Sequence, residues 1–377
     1  MIFILYLIFG AYCLFNVGLL YTWSRMHQKE KFFTKSERDT AFVSVIIPAR
    51  NEEANILALL QDLNKQVYPF SHFEVFVAND NSTDETATLV EAFKKEANYT
   101  LQLVNLPSDR VSSPKKRAIL TCINQAQGSI IMTTDGDCRV LPTWIEAVAN
   151  RFVSTNSQLV SSPVTFIDEQ TFWSKIQIIE FASLIGAGAC SMFAGRPNMC
   201  NGANLTYLKS AFYEVNGFAG NENLASGDDE FLMHKIAKVF PNQLSFLASQ
   251  DAIVKTTAQP TLRHFYNQRK RWASKWKQYD DWKIIALAIF VFSVNFGFVC
   301  TLVGGLFSWI SRIDFTLLVL LKCLAEWLFL SKVFRFLGHQ ALRKYIGIVQ
   351  IIYPFYVSFF GLIAQGKGYQ WKGRRLE

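Results

Sequence analysis

Charge is scarce in this chain. Of its 377 residues only 18% are Asp, Glu, Lys or Arg and 50% are hydrophobic, against about 25% charged in ordinary soluble domains. A deficit of that size points to segments that sit in lipid. Paired cysteines are lacking as well. Cys13, Cys122, Cys138, Cys190, Cys200, Cys300 and Cys323 contain no C-x-x-C pair and no metal-ligand spacing. They read as reduced packing residues, not as disulfides or a zinc site. No G-x-G-x-x-G follows a strand-like run and no G-x-x-x-x-G-K-[ST] occurs, so dinucleotide and P-loop readings have no support. Neither an internal repeat nor a low-complexity linker interrupts the middle of the chain. What charge there is sums to +8. Much of that excess lies beside apolar segments, which favours an anionic membrane surface over an anionic substrate, and no nucleic acid is expected as a partner.

The apolar residues gather at the two ends. Ile2 to Trp23 is almost unbroken in apolarity, long enough to cross a hydrocarbon core of ~30 Å. A signal peptide would carry its basic residues first; here Arg25, Lys29, Lys31, Lys35 and Arg38 follow the run, which favours an uncleaved anchor. By the positive-inside rule the residues after Arg25 face the cytoplasm. Three more apolar runs occupy Ile284 to Ile310, Phe315 to Val333 and Tyr345 to Ala364, with basic Lys332, Arg335, Arg343 and Lys344 between the last two. Four spans would put Lys367, Lys372, Arg374 and Arg375 outside, against the rule. Either the rule fails at the tail or one run is re-entrant or interfacial, and Pro354, in the middle of the last run, favours that run for the second case. The expected organisation is therefore an anchor at 1–24, a catalytic domain at 39–282 and a membrane region with a basic tail at 283–377.

Between Ala41 and Asp281 the pattern changes. Short β-rich runs (Val43–Ile47, Phe73–Ala78, Leu101–Asn105 and Ile130–Met132) alternate with helical stretches at Ala54–Leu63, Thr83–Lys95 and Lys116–Ala126. Ser82 and Glu85 have the spacing of a capping box. Alternation of this kind predicts an α/β domain with a mostly parallel sheet, whose ligands gather beyond the carboxyl ends of the strands. The unusual polar residues stand at those ends: Pro48-Ala49-Arg50-Asn51-Glu52, Asn79-Asp80-Asn81-Ser82 and Asp135-Gly136-Asp137. Asp135 and Asp137, two apart after the apolar Ile130-Ile131-Met132, can aim oxygen ligands at one hard cation that also binds a diphosphate. An isolated D-x-D is more often a solvated turn. Its position and its neighbours give this one weight.

Taken in order, these residues resemble the inverting family 2 glycosyltransferases of GT-A fold, the cellulose-synthase-like group with membrane anchors. The resemblance rests on Val45-Ile46-Ile47-Pro48-Ala49-Arg50-Asn51-Glu52, Asn79-Asp80-Asn81-Ser82-Thr83-Asp84, Lys115-Lys116-Arg117-Ala118 and Asp135-Gly136-Asp137. It continues through Gly202-Ala203-Asn204, Gly227-Asp228-Asp229 and Gln268-Arg269-Lys270-Arg271-Trp272. It implies a nucleotide-diphosphate donor, usually a uridine one, held by Pro48, Arg50, Asn51, Glu52, Asp80, Lys115, Lys116 and Asp135. Asn79 departs from the pattern, standing where many relatives carry aspartate. The resemblance further implies Mg²⁺ or Mn²⁺ on Asp137 and Asp135, and Asp229 as general base beside Asp228. Gln268, Arg271 and Trp272 would complete the catalytic set, with Asn204 and Trp272 on the acceptor side. Read by themselves, Asp228-Asp229-Glu230 also suit a helix start, and the basic stretch Arg263 to Lys277 also suits a membrane-surface helix.

The resemblance leaves two enzymatic readings: single transfer to a lipid or other membrane-embedded acceptor, and processive synthesis of a polysaccharide. Four apolar runs give little wall for a polymer channel, and Trp371-Lys372-Gly373-Arg374 is similar to the tail of lipid-glycosylating members, so single transfer is favoured. A nucleotide-sugar sensor is the non-enzymatic reading, but it would have no use for a base at Asp229. Phe172 to Phe193, apolar apart from Lys175 and Glu180, fits an interfacial helix and a core helix equally well.

Overall fold

Val43–Ala49 and Phe73–Asn79, rich in β-branched and aromatic residues, form the first two strands, β1 and β2, of a central sheet. The computed structural model describes residues 2–30, 41–109, 111–224, 226–274, 282–363, 369–371 and 374–376. The chain divides into two compact units. One comprises Met26–Ile167, Gly188–Thr257 and Gln370–Glu377; the other comprises Met1–Arg25, Asp168–Ala187 and Ala258–Tyr369.

The first unit is α/β. Strands β3 (Thr100–Asn105) and β4 (Ile130–Thr133) join β1 and β2 in parallel. Beyond them the order is β3-β2-β1-β4-β7-β5-β8, where β5 is Leu159–Ser161, β7 is Leu205–Leu208 and β8 is Leu244–Phe246. β7 runs antiparallel to both β4 and β5. A second, two-stranded parallel sheet pairs β6 (Val164–Phe166) with β9 (Val254–Thr256). Every residue of β2 is buried, as expected of a strand covered on both faces. Its cover includes α3 (Thr86–Phe93) and α4 (Pro114–Gln125), and α2 (Ile56–Leu63) packs on α3. α4 starts with Pro at its first helical position, where the missing N–H costs nothing, and buries Ala118, Ile119, Cys122 and Ile123 along one face. α5 (Trp144–Ser154), α7 (Lys209–Glu214) and α8 (Glu230–Val239) complete this unit, and β10 (Tyr369–Trp371) pairs with β11 (Arg374–Leu376) at the end of the chain.

The expected strands and helices of the amino-terminal half are present, but the capping box is not. The Ser82 hydroxyl accepts from the Asn51 amide, and the Glu85 amide donates to the Glu53 carboxylate. Asp84 takes the capping contact instead, accepting from both the amide and the hydroxyl of Thr86. These bonds hold its carboxyl below the usual carboxylate value, outweighing an upward push from burial. Residues that open α3 in the sequence reading are thus spent on tying two loops together.

The second unit is helical: α1 (Ile2–Glu30), α6 (Phe172–Phe193), α9 (Leu262–Ser274), α10 (Trp282–Leu306), α11 (Arg312–Phe336) and α12 (Ile346–Ile363). Each of the four apolar runs is helical, and Pro354 lies inside α12. Among the described residues, α1, α6 and α10 are long and apolar enough to cross a membrane. Leu5, Phe9 and Tyr12 of α1 pack with Val294 and Phe298 of α10 and Leu318 of α11. Gly297 allows the close approach, since a Cβ there would lie 3.2 Å from Leu5. α11 buries Lys322, which neutralises itself on Glu326 one turn away at 2.8 Å. The basic residues Lys31, Lys35, Arg38, Lys277, Lys367 and Lys372 lie outside the described residues, as does Gly373 of the tail motif.

Candidate active site

Register decides which loops meet. Ala49 pairs with Asn79 at the ends of β1 and β2, so the segments that follow leave the sheet side by side. Both turn sharply through asparagines at positive φ, Asn51 at 52° and Asn81 at 55°, a conformation that Asn tolerates better than most residues. Arg50 Nη1 donates to the carbonyls of Asp80 (2.5 Å) and Asn81 (2.8 Å), while Asn51 Oδ1 accepts from the Thr83 amide at 2.9 Å. Asn79 donates to Asn105 Oδ1 and accepts from the Ser82 amide, so the amide at this position serves the turn. The buried carboxylate of Asp80 lies 3.4 Å from Arg117 Nη2. Arg117, not singled out in the sequence as a site residue, pairs with this carboxylate, and its other nitrogen bonds Asp109 at 2.7 Å. Pro48, half-buried within β1, shapes the strand end.

The D-x-D segment follows β4 and rests on the first loop. A Cβ on Gly136 would fall 2.9 Å from Glu52 Cγ, so glycine is what lets the acidic turn close over the buried Glu52. Asp137 Oδ2 accepts from Thr256 Oγ1 at 3.1 Å, and the next residues are stitched to β9 by reciprocal backbone bonds between Arg139 and Lys255. Arg139 is also held to Asp62 of α2 by a fork of 2.6 and 2.8 Å. Cys138 is buried next to Asp137; burial first, then the charges of Asp137 and Asp135, push its thiol well above its ordinary value, so it remains protonated.

Four carboxylates and one ammonium stand at these loop ends. Lys115, in the first turn of α4, places Nζ 2.7 Å from Asp135 and 3.4 Å from Asp228. Burial alone would lower its pKa, but Asp135, Asp228 and Asp229 outweigh that and raise it well above the ordinary lysine value. The side chain stays cationic at neutral pH. Asp229 caps α8: Oδ1 accepts from the Glu230 amide at 2.8 Å and Oδ2 from the Gly202 amide at 3.0 Å. Gly227, at φ +81° with the Phe231 ring 2.4 Å from where a Cβ would be, turns the chain into this pair of acids. Gly202 is tightly enclosed too, since a Cβ would meet Asp228 at 3.2 Å and Lys115 at 3.4 Å.

Two expected contacts are used elsewhere. Lys116 turns away from Asp135 and donates to the carbonyls of Asn221 (2.6 Å) and Leu224 (2.9 Å), so it secures the loop before α8. On a helix adjacent residues point about 100° apart, and only Lys115 faces the acids. Asn204, expected at the acceptor, is fully buried: it accepts from Trp144 Nε1 and donates to the carbonyls of Pro163 and Ala252. Asn204→Ala would strand all three buried groups, so stability should fall by ~2 kcal/mol or more. Thermal unfolding checks this; unchanged stability with a raised acceptor KM would return Asn204 to the substrate. Gln268, Arg271 and Trp272 lie on α9 in the helical unit. There the Trp272 ring packs against Phe181 and under the Arg269 guanidinium, 4.1 Å from its centroid.

The donor set fits a divalent cation in one particular manner. Asp135 and Asp137 offer hard oxygen donors, yet among the described residues no cluster of three or more His, Cys, Asp or Glu could hold a metal alone. A small hard cation bound through one or two carboxylates and completed by a diphosphate matches that arrangement.

Comparison with known proteins gives the same direction. Residues 44–215 match the family model described as glycosyl transferase family 2. Residues 130–330, over half the chain, match the one described as glycosyl transferase family group 2. A beta-monoglucosyldiacylglycerol synthase of Nostoc sp. is 29% identical over 167 residues, 44% of this chain and 34% of that protein. The poly(ribitol-phosphate) beta-N-acetylglucosaminyltransferase TarS of Staphylococcus aureus is 27% identical over 217 residues, 55% of this chain and 34% of its own. The chain thus spans about a third of the length of these curated relatives. Among solved structures, the mannosyltransferase PcManGT from Pyrobaculum calidifontis, in complex with GDP-Man and Mn2+, superposes with a TM-score of 0.53 at 18% identity. The superposition covers 92% of this chain and 99% of that one, and the shared fold is GT-A.

Proposed function

Because the chain belongs to the family 2 glycosyltransferases, we propose that it is an inverting transferase passing one sugar from a nucleotide-diphosphate sugar to a lipid acceptor in the membrane that its helical unit enters. The observation that carries this reading is the convergence of Asp135, Asp228 and Asp229 on Lys115, beside the laced loops after β1 and β2. Arg50, Asn51, Glu52 and Asp80 are assigned to the nucleoside, a uridine by resemblance, with Arg117 setting Asp80. Lys115 is a fixed positive charge for the diphosphate. Asp135 and Asp137 would hold Mg²⁺ or Mn²⁺, which when bound would neutralise the charge growing on the departing diphosphate.

Asp229 is the proposed base. It takes the proton of the acceptor hydroxyl as that oxygen attacks the anomeric carbon. The bond from that carbon to the β-phosphate oxygen breaks, and its electron pair leaves with the nucleoside diphosphate. Asp228 lies 3.4 Å from the Lys115 ammonium and is assigned a place beside the base. The lipid acceptor is supported by the apolar helices α1, α6 and α10 and by the name of the Nostoc relative. In this reading the α/β unit faces the cytoplasm, where nucleotide sugars are available.

The test is to offer the purified full-length protein a panel of UDP- and GDP-sugars with total membrane lipid and to follow products by mass spectrometry. One mass shift of a single hexose or amino sugar, saturating as acceptor is consumed, is expected. A ladder of oligosaccharides lengthening with time would replace single transfer by processive synthesis. Donor binding without any product would leave a sensor.

A further inference from the structure

Glu180 and Arg269 form an ion pair inside the helical unit, with side chains only 6% and 3% exposed. Taking two charges out of water costs several kcal/mol each, so such a pair is weak evidence of a stabilising device and stronger evidence of a geometric one. Its geometry is complete. Arg269 of α9 presents Nε and Nη2 to the two oxygens of Glu180 on α6. Tyr356 of α12 donates to the same carboxylate at 3.3 Å. The guanidinium plane is held between two rings, 4.4 Å from the Phe265 centroid and 4.1 Å from that of Trp272. Three helices therefore meet at one carboxylate.

The remaining arm of Arg269 has a chemical consequence. Nη1 donates to Gln268 Oε1 at 2.5 Å. A guanidinium has donors only, so it must meet the oxygen of the carboxamide and never its NH2. The orientation of Gln268 is thereby decided: its oxygen is turned to Arg269, with one lone pair engaged, and the other branch of the carboxamide is the NH2, a hydrogen-bond donor. We infer that Glu180 and Arg269 are positioning residues that lock Gln268 so that α9 presents its NH2 as a hydrogen-bond donor. This inference rests on the proposed function together with the family resemblance, which places Gln268 and Arg271 in the catalytic set. Trp272 has a part in the lock as well, since one face of its ring is occupied by Arg269.

Lysine at position 269 is the informative substitution. It keeps a positive charge for Glu180 and so should fold, but a single ammonium cannot reproduce the fork that reaches Glu180 and Gln268 together. Arg269→Lys should lower kcat by ~10-fold or more with donor KM within ~2-fold. In a Gln268→Ala background the same change should cost less than ~2-fold further, because residues acting as one unit are not additive. Gln268→Glu keeps an oxygen for Arg269 but has no NH2, and it should be as slow as Gln268→Ala. Full activity of Gln268→Glu, or an undiminished Arg269→Lys effect in the Gln268→Ala background, overturns the lock. A readout independent of turnover separates this from the proposed function: deuterium uptake across 262–274 should rise in Arg269→Lys while uptake in β1 to β4 is unchanged. If the wild-type protein transfers no sugar from any donor, the proposed function fails and this exchange measurement alone decides the clamp. Unchanged uptake across α9 overturns it.

Discussion

Asp229→Asn is expected to cut turnover by ~10²-fold or more, the range for losing a general base, while nucleotide-sugar affinity stays within ~2-fold. Two backbone amides, of Glu230 and Gly202, hold the carboxylate in one orientation. A carboxylate has about four lone-pair sites, so a further hydrogen bond from an acceptor hydroxyl remains possible. Asparagine can still cap α8 through its oxygen. It turns an NH2 toward the Gly202 amide, however, and it has no basic site for a proton. The variant should therefore fold, bind donor and transfer little. Single-turnover kinetics alongside equilibrium donor binding separate the two. Weakened donor binding with turnover retained would move Asp229 out of the proton-transfer step and into the donor site.

The second large effect is expected at Asp137. EDTA should abolish transfer, and Mg²⁺ or Mn²⁺ should restore it. Asp137→Asn should stay inactive in excess metal, a loss of ~10²-fold or more for a site that depends on electrostatic stabilisation of a leaving group. The asparagine oxygen can still accept from Thr256 Oγ1, so the loop after β4 should keep its place on β9. Thermal stability near that of the wild type, with no metal-dependent activity, is the expected pair of results. Activity that survives EDTA, or an Asp137→Asn protein with normal turnover, removes the cation from this motif.

Lys115 bears on both results. Its ammonium bonds Asp135 while lying close to Asp228. Whatever charge enters the site thus meets a cation whose pKa has been raised by its acidic neighbours. On the stability side, a raised lysine contributes fully below its unfolded value of about 10.4 and loses that contribution only as pH climbs toward the folded value. No change from this residue is expected around neutral pH.

By itself the sequence determined the apolar helices toward the two ends, the first four strands and the acidic turns at their carboxyl ends. Each of these is local. Continuous apolarity, β-branched runs and turn residues are properties of short windows, and Val43 to Ile47 or Ile130 to Met132 reads the same alone as in place. Strands β5 to β9 left no such trace, because pieces of three or four residues, Leu159–Ser161 or Val254–Thr256, are too short for a period to show.

Tertiary structure decided which polar residues face which. Lys115 and Lys116 are equivalent in sequence; the rotation of α4 against β1 and β2 points one at Asp135 and sends the other to Asn221 and Leu224. Asn204 looked like a ligand beside Gly202, yet the packing of Trp144 and the carbonyls of Pro163 and Ala252 claim all its hydrogen bonds. Ser82 and Glu85 had capping-box spacing, but register brings Asn51 and Glu53 within their reach first. Arg117 with Asp80, Thr256 with Asp137 and Glu180 with Arg269 are separated by 37, 119 and 89 residues. Pairs that far apart are set by strand register and helix packing, which no single sequence window contains.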